Sequence, residues 1–266
     1  MATYTRGYES VAELVEKATA SRRRGAYNRF TGRGDWVGRA FRSWEEVVAA
    51  ANGLWESGVR DIESMLADLA SVELPQPACR RRRGVWADDG DEFDHDRFRA
   101  GRECWRTLRR QHVTGPQHIT LVAQVGGMFG VPPEEFFWRG AVAVCLADLL
   151  EKAGYRVTMY AASKTSNSYT NGCGSFRFVQ VKGGGDPVNL ASLVNAFSPW
   201  LYRTVFFQEH YTQAEAKPRN PGYGRTADLT DPDLEEIEPG AILIQGVSDR
   251  RRAVAKVREV IEALSQ

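Results

Sequence analysis

A chain of 266 residues with 42% hydrophobic and 26% charged side chains has enough apolar content to bury a core, which excludes a disordered polyelectrolyte. Its 35 basic and 34 acidic residues leave a net charge of +1, so no overall field draws it to nucleic acid or an anionic surface. No apolar run reaches the roughly 18 residues needed to cross a bilayer. The opening MATYTRGYESVAELVEKATA has neither a basic lead nor an apolar signal core, so a cytoplasmic protein without membrane contact is expected.

In chain order, Val11, Leu14, Val15 and Ala18 recur at helical spacing behind Ser10, a candidate N-cap, and predict a short amphipathic helix within Tyr8 to Ala20. A basic segment follows, with Arg22, Arg23, Arg24 and Arg29 set among Tyr27, Phe30 and Trp36. Cations interleaved with aromatics can track a phosphate backbone and stack bases, although the same rings can simply pin the segment to a core. Ser43 and Glu46 have the capping-box spacing and open a long helical pattern that runs toward Val72. Gly53 and Gly58 lie inside it, and at about 1 kcal/mol each they predict a kink or a close approach by a neighbour.

A second basic cluster, Arg80, Arg81, Arg82 and Arg83, precedes a candidate strand over Gly84 to Ala87 and an acidic run from Asp88 to Asp96. Within that run Asp89, Asp91 and Asp94 are the candidate ligands of a metal-dependent hydrolase. The run opens like a calcium loop but lacks the turn glycine and the closing glutamate, which favours a solvated loop, or one neutralised by the neighbouring arginines. ECWRTLRRQ is a candidate short helix. From His118 the pattern predicts a strand over Ile119 to Val125, a glycine loop, a helix from Glu134 or Phe137 to Ala153, a stop at Gly154, and a strand over Arg156 to Ala162.

The polar stretch KTSNSYTNGCG, with its Asn-Gly, predicts a strand-to-strand connection into SFRFVQVKGGG. KGGGDP, Lys182 to Pro187, is weighed as a phosphate cradle and as the turn leading into a helix over Pro187 to Ala196; it lacks the trailing Lys-Ser/Thr of a P-loop. YRTVFFQEHY is expected as a strand, Ala214 to Pro239 as a surface flap or partly disordered loop, AILIQGVSD as a strand, and Arg250 to Leu264 as the closing helix. Strands alternating with helices predict an α/β fold, a mostly parallel sheet with helices on both faces. An N-terminal helical and charged extension over 1–112 would pack on a core over 113–266.

Cys79, Cys104, Cys145 and Cys173 form no CxxC pair and stand without histidine at zinc spacing, so reduced, packed thiols are expected. His95, His112, His118 and His210 accompany no nucleophile motif, and neither a catalytic residue nor a cofactor is expected.

The stretch HITLVAQVGGMFG, followed by RGAVAVCLADLLEKAGYRVTMYAAS, resembles the start of a von Willebrand factor A domain, whose first strand carries Asp-x-Ser-x-Ser before a long helix, a glycine and a second strand. The resemblance covers His118 to Gln266 and implies a Rossmann-like core. The aspartate position falls on Gln124 and the serine positions on Gly126 and Met128, so the metal site is expected to be lost. Over nearly the whole chain, FTGRGDWVGRAFRSWEEVVAAANGLWESGVRDIE, DEFDHDRFRAGRECW and LASLVNAFSPWLYRTVFFQEH resemble an uncharacterised protein family of bacteriophages and mobile elements of actinobacteria. That implies a bacterial or phage setting and supplies no activity.

The expectation is therefore a non-enzymatic binding or assembly protein that docks a protein partner on the rim at the carboxyl ends of its strands, with Gly126, Gly127, Phe129, Lys164, Lys182 and Glu209 as rim residues. Nucleic acid held by the arginine clusters is the alternative.

Overall fold

The computed structural model describes residues 3–22, 37–74, 84–90, 92–108, 117–127, 130–166, 174–212 and 225–265. The chain forms two compact units, one of residues 1–75 with 118–266 and one of residues 76–117.

In the larger unit the sheet is organised by β5 (His118–Gln124), buried at every position after His118, as a central strand covered on both faces must be. It pairs in parallel with β6 (Arg156–Ser166) and β9 (Ile242–Ile244). Between β5 and β6 runs α5 (Pro133–Lys152), where Phe136 to Ala147 is buried on all sides apart from half-buried Trp138. A helix apolar all round must lie between layers. Small residues let its neighbours in: a Cβ on Gly140 would lie 2.1 Å from the Cβ of Phe197. The helix stops as the sequence predicts, with Gly154 at φ 99° and the Tyr155 and Gly154 amides bonded to the carbonyls of Leu150 and Glu151.

β7 (Gly174–Lys182) returns antiparallel to β6, the expected strand pair. β1 (Thr3–Tyr8) adds to the far side of β7 in parallel, giving the order β1-β7-β6-β5-β9. This strand was not expected. TYTRGY has no apolar run, and Gly7 lies where a Cβ would fall 2.5 Å from the Phe178 ring. The helix expected from Tyr8 starts later, as α1 (Val11–Arg22), with the Ser10 hydroxyl accepting the Glu13 amide at 3.1 Å.

The long helical pattern after Ser43 is two helices, α2 (Trp44–Ala51) and α3 (Glu56–Asp68). Ser43 caps α2, accepting the Glu46 amide at 3.3 Å, and the break falls at Asn52 and Gly53. Gly58 instead sits inside α3 at a close approach, its Cβ position 2.6 Å from Val194. Each glycine thus takes one of the two predicted roles. α6 (Leu190–Ala196), α7 (Pro199–Leu201), a π-helical turn Tyr202–Phe206 and α8 (Phe207–Thr212) follow β7. YRTVFFQEHY is therefore helical where a strand was expected. Ser198 and Pro199 start the helix, and since Tyr202 to Glu209 are all buried, no polar face marks the helical period.

The expected flap contains β8 (Arg225–Ala227), antiparallel to β6, and α9 (Asp231–Ile237). α9 closes the second face of the sheet, where Leu229 and Leu234 cover Val122, Ala162 and Phe176. On the opposite face α1, α3, α5 and α10 (Arg250–Leu264) share the main core. The fold is α/β, with a mostly parallel sheet and helices around it.

The smaller unit has an antiparallel sheet in the order β2-β4-β3, built from β2 (Gly84–Ala87), β3 (Glu92–Phe93) and β4 (Trp105–Leu108), and a short helix α4 (His95–Arg99). ECWRTLRRQ thus supplies a strand where a helix was expected. The helix lies upstream, fixed by Asp94, whose carboxylate accepts the Asp96 and Arg97 amides at 3.0 Å each.

Candidate functional site

The carboxyl end of β5 is the crevice where an open α/β sheet presents a ligand. Here the chain fills much of it. β8 takes up the edge of β6 just beyond the point where β5 stops, and the Gln124 amide donates to the Ala227 carbonyl at 3.0 Å. Gln124 therefore ties down the returning segment rather than facing a ligand. Gly126 and Gly127 follow because nothing larger fits: a Cβ would lie 2.8 Å from the Ser163 hydroxyl at the first and 2.3 Å from the Phe136 ring at the second.

Two guanidinium groups brace this glycine turn. Arg139, on α5, donates to the Gly126 carbonyl at 2.8 Å, and Arg203, on the π-helical turn, donates to the Val131 carbonyl at 2.6 Å. Both lie over the Phe136 ring, 5.4 and 4.6 Å from its centroid. Burial lowers the pKa of Arg139, offset in part by Glu135 and Asp228, and pushes Arg203 down to about 10. Both stay charged at neutral pH. Fixed cations thus stand beside this loop. Among the described residues no group of three His, Cys, Asp or Glu side chains could hold a metal.

Beside the turn lies a polar recess on the face of the sheet that elsewhere is core. Ser163 and Arg177 are one cross-strand pair and Thr165 and Ser175 the next, roofed by Tyr202, Phe206 and Phe207. The cavity is about 20 Å³, room for one water. The Ser163 hydroxyl donates to the Tyr202 oxygen at 3.2 Å, and burial raises the Tyr202 pKa against that hydrogen bond. Tyr202 reaches this place from a π-helical turn, a distortion that recurs at functional sites. Farther along the same face Glu209 pairs with Arg6 at 3.2 Å, and the Tyr8 pKa rises through burial and then through Glu209.

Of the expected rim residues the structure brings Gly126 and Gly127 together at the turn, while Phe129 lies outside the described residues. Lys164 points to the second face and binds Asp233 at 2.7 Å. Lys182 is at the opposite end of the sheet, because β7 runs antiparallel to β6; its ammonium is held by Glu151 and the carbonyls of Val157 and Gly183. Glu209 is buried on α8. These last three are corrections to the expected rim, and each spends its charge inside the fold.

Asp233 carries a pH prediction. Burial alone would raise its pKa, but hydrogen bonds from Lys164 and Thr230 outweigh it and the net shift is downward. A depressed carboxyl pKa stabilises the fold above the ordinary value of 3.8 and loses that contribution as pH falls through the lowered value. Protection of the α9 amides, corrected for the intrinsic rate at each pH, should fall in that acid window in the native chain, and Lys164→Met should narrow the difference between neutral and acid protection. Equal acid sensitivity in both proteins would remove the pair from the account.

The arginine clusters lie outside the described residues: Arg23, Arg24, Arg29 and Arg80 to Arg83 entirely, and Arg22 in its side chain. Of the acidic run, Asp89 is exposed in a bend, Asp91 lies outside the described residues, and Asp94 is a helix cap. The KGGGDP turn receives its anion from within, since the Gly183 amide donates to Asp186 at 2.8 Å. Its role as the turn into α6 is the one the geometry supports. His118 contacts Glu238 and Thr158 at the amino end of β5, far along the strand from the recess. Cys145 is a packed thiol that burial pushes up to about 12. Sequence reasoning missed Arg139, Ser163, Ser175, Arg177, Tyr202 and Arg203. An arginine inside an otherwise apolar helix, and paired polar residues on the core face of β6 and β7, were the available signals.

The fold and site define an α/β protein with a mostly parallel sheet, an arginine-braced turn and a crevice closed by its own chain. The chain belongs to the family described as Domain of unknown function (DUF7192), whose pattern spans residues 2–266. No curated protein and no solved structure matches it. The family carries no A-type, phage or actinobacterial assignment. No helix among the described residues is long and apolar enough to cross a membrane.

Proposed function

We propose that the protein is a non-enzymatic binding or assembly protein that seats a protein partner on the carboxyl-end rim of its main sheet, around the Gly126–Gly127 turn and the Ser163–Tyr202 recess. The observation that carries this reading is the size and chemistry of the recess. At about 20 Å³ it is far below the roughly 300 Å³ at which metabolite pockets begin. It admits the tip of a side chain, and Arg177 with four hydroxyl-bearing neighbours suits a carboxylate or amide tip. The order of strand, glycine loop, long helix, Gly154 and parallel strand is what supports reading the core as A-like with an arginine brace in place of a metal; the phage or mobile-element setting belongs to the proposal and rests on the sequence resemblance alone.

Thr165, at the half-buried mouth of the recess, is the place to test it. A tryptophan is tolerated on a strand and would fill the mouth. Thr165→Trp should leave the melting temperature within about 4 °C of the native value. In quantitative capture from the source cell it should reduce recovery of a partner at least about tenfold. An identical partner set for the two baits would end the assignment of this rim.

A further inference from the structure

At the end of the main sheet opposite the Gly126–Gly127 turn, the larger unit holds a second cavity, of about 320 Å³. It lies between the start of α1, the break after α2, the last residues of β7 and α6. That volume reaches the roughly 300 Å³ at which metabolite pockets begin, whereas the recess at the rim admits only a side-chain tip. The walls are mixed: Val11, Val15 and Ala196 are apolar, and charged and amide groups stand among them.

The ionic groups decide what such a cavity can hold. Among the described residues that line it Lys182 is the sole cation, and its ammonium is already held by Glu151 and the carbonyls of Val157 and Gly183. Glu9 and Asp186 are the carboxylates, both exposed. Asp186 accepts the Gly183 amide with one oxygen, and no described residue pairs with the Glu9 carboxylate. The start of α1 is likewise met by acid, since the Glu13 carboxylate accepts the Glu9 amide at 2.9 Å, which disfavours a bound anion there. With Lys182 neutralised by Glu151, the field in the cavity is negative and selects a cation.

Asn195 points to the same kind of ligand on other grounds. It is 4% exposed in the α6 wall, its amide nitrogen donates to the carbonyls of Ala50 and Gly53, and its Oδ1 has no partner among the described residues. A planar amide held at the α2 break by its nitrogen turns its oxygen away from that break. A buried acceptor without a donor is costly, and a bound group that brings one relieves the cost. An ammonium is donor only, so it suits both an unpaired amide oxygen and a carboxylate. A bare metal ion is served less well, because among the described residues no three His, Cys, Asp or Glu side chains converge.

We propose that this cavity binds an aliphatic amine with two or more ammonium groups, a diamine or polyamine, its cations on Glu9, Asp186 and the Asn195 oxygen and its carbon chain along Val11, Val15 and Ala196. The site is separate from the rim, and neither reading depends on the other.

The test is equilibrium dialysis of the full chain against labelled spermidine at physiological salt, competed with putrescine, n-butylamine, xylitol and inorganic phosphate. About one spermidine should bind per chain with a Kd below about 100 μM, and n-butylamine, with its single ammonium, should compete at least about tenfold more weakly than putrescine. Glu9→Gln and Asp186→Asn should each weaken spermidine about threefold to tenfold, while Glu63→Gln, an exposed carboxylate on α3 outside the cavity, should leave it within about twofold. Ser192→Trp, at an exposed position where α6 borders the cavity, should reduce binding about tenfold or more by filling it. An unchanged melting temperature separates lost binding from a lost fold; should Ser192→Trp fail to fold, the carboxylate variants, which alter charge and not volume, decide. Absence of spermidine binding, equal binding by the double variant Glu9→Gln with Asp186→Asn, or a loss on Glu63→Gln as large as on Glu9→Gln would each overturn the proposal. So would stronger competition by xylitol or phosphate than by putrescine, since the cavity would then be a polyol or anion site.

Discussion

Glu151→Gln should destabilise the larger unit by about 3 kcal/mol, while Lys182→Met at the other end of the same ion pair should cost about 1 kcal/mol or less. The two partners are buried unequally. The Lys182 side chain is 2% exposed, whereas that of Glu151 is 22% exposed. Removing the carboxylate charge leaves an ammonium facing neutral acceptors alone, the carbonyls of Val157 and Gly183 at 2.9 and 3.0 Å and the side-chain amide oxygen at position 151. Dipoles compensate a buried charge poorly. Removing the lysine leaves a carboxylate that can turn to water, and methionine fills most of the vacated volume. Urea unfolding of both variants, with matching slopes, measures the difference. Equal losses would mean that the pair acts by Coulomb attraction alone and that the unequal burial is irrelevant.

This pair also shows why the rim was only partly legible. Lys182 ends a strand and precedes three glycines, a sequence position that suggests an exposed loop. Its real location depends on the direction of β7, and that direction is set by pairing with β6 across a connection whose length alone does not place the end. Lys164 fails for a related reason. Side chains alternate along a strand, so Ser163 faces the recess and Lys164 the second face, beneath α9. One residue of register separates a site residue from a structural ion pair.

Other parts of the fold were legible because one strong signal sufficed. β5, α5 and α10 have apolar patterns long enough to exclude alternatives, and Arg250 to Leu264 runs as expected, capped by Asp249, which accepts the Arg252 amide at 2.9 Å. β1 was hidden because its six residues are polar or small; it is a strand by virtue of β7 beside it. The π-helical turn was hidden for the opposite reason. Aromatic and β-branched residues such as Thr204, Val205 and Phe206 favour strands when read alone, and only their burial among α1, α5 and α7 makes a helix the better packing. Tyr202 and Arg203 ride on that element, so the error in secondary structure concealed two of the site residues.

Gly140 links that helix to the rest of the core, and Gly140→Ala should destabilise the protein by about 2–3 kcal/mol although alanine is the better helix former. The propensity gain is about 1 kcal/mol. Against it stands a steric demand: the new Cβ would lie 2.1 Å from the Cβ of Phe197 and 2.6 Å from its Cγ, where ordinary contact begins near 3.4 Å. α5 and the turn at Phe197 would have to separate by more than 1 Å in a region with no spare volume. Phe197 immediately precedes Ser198, whose hydroxyl accepts the Leu201 amide and starts the segment that delivers Tyr202 and Arg203. The disturbance should therefore be read at the site. Amides of Tyr202 to Phe206 should exchange faster in the variant, while those of β2 and β4 in the small unit stay as they are. If Gly140→Ala proves as stable as the native chain, α5 and α6 pack less closely than the structure has them, and Gly140 has no part in positioning the recess.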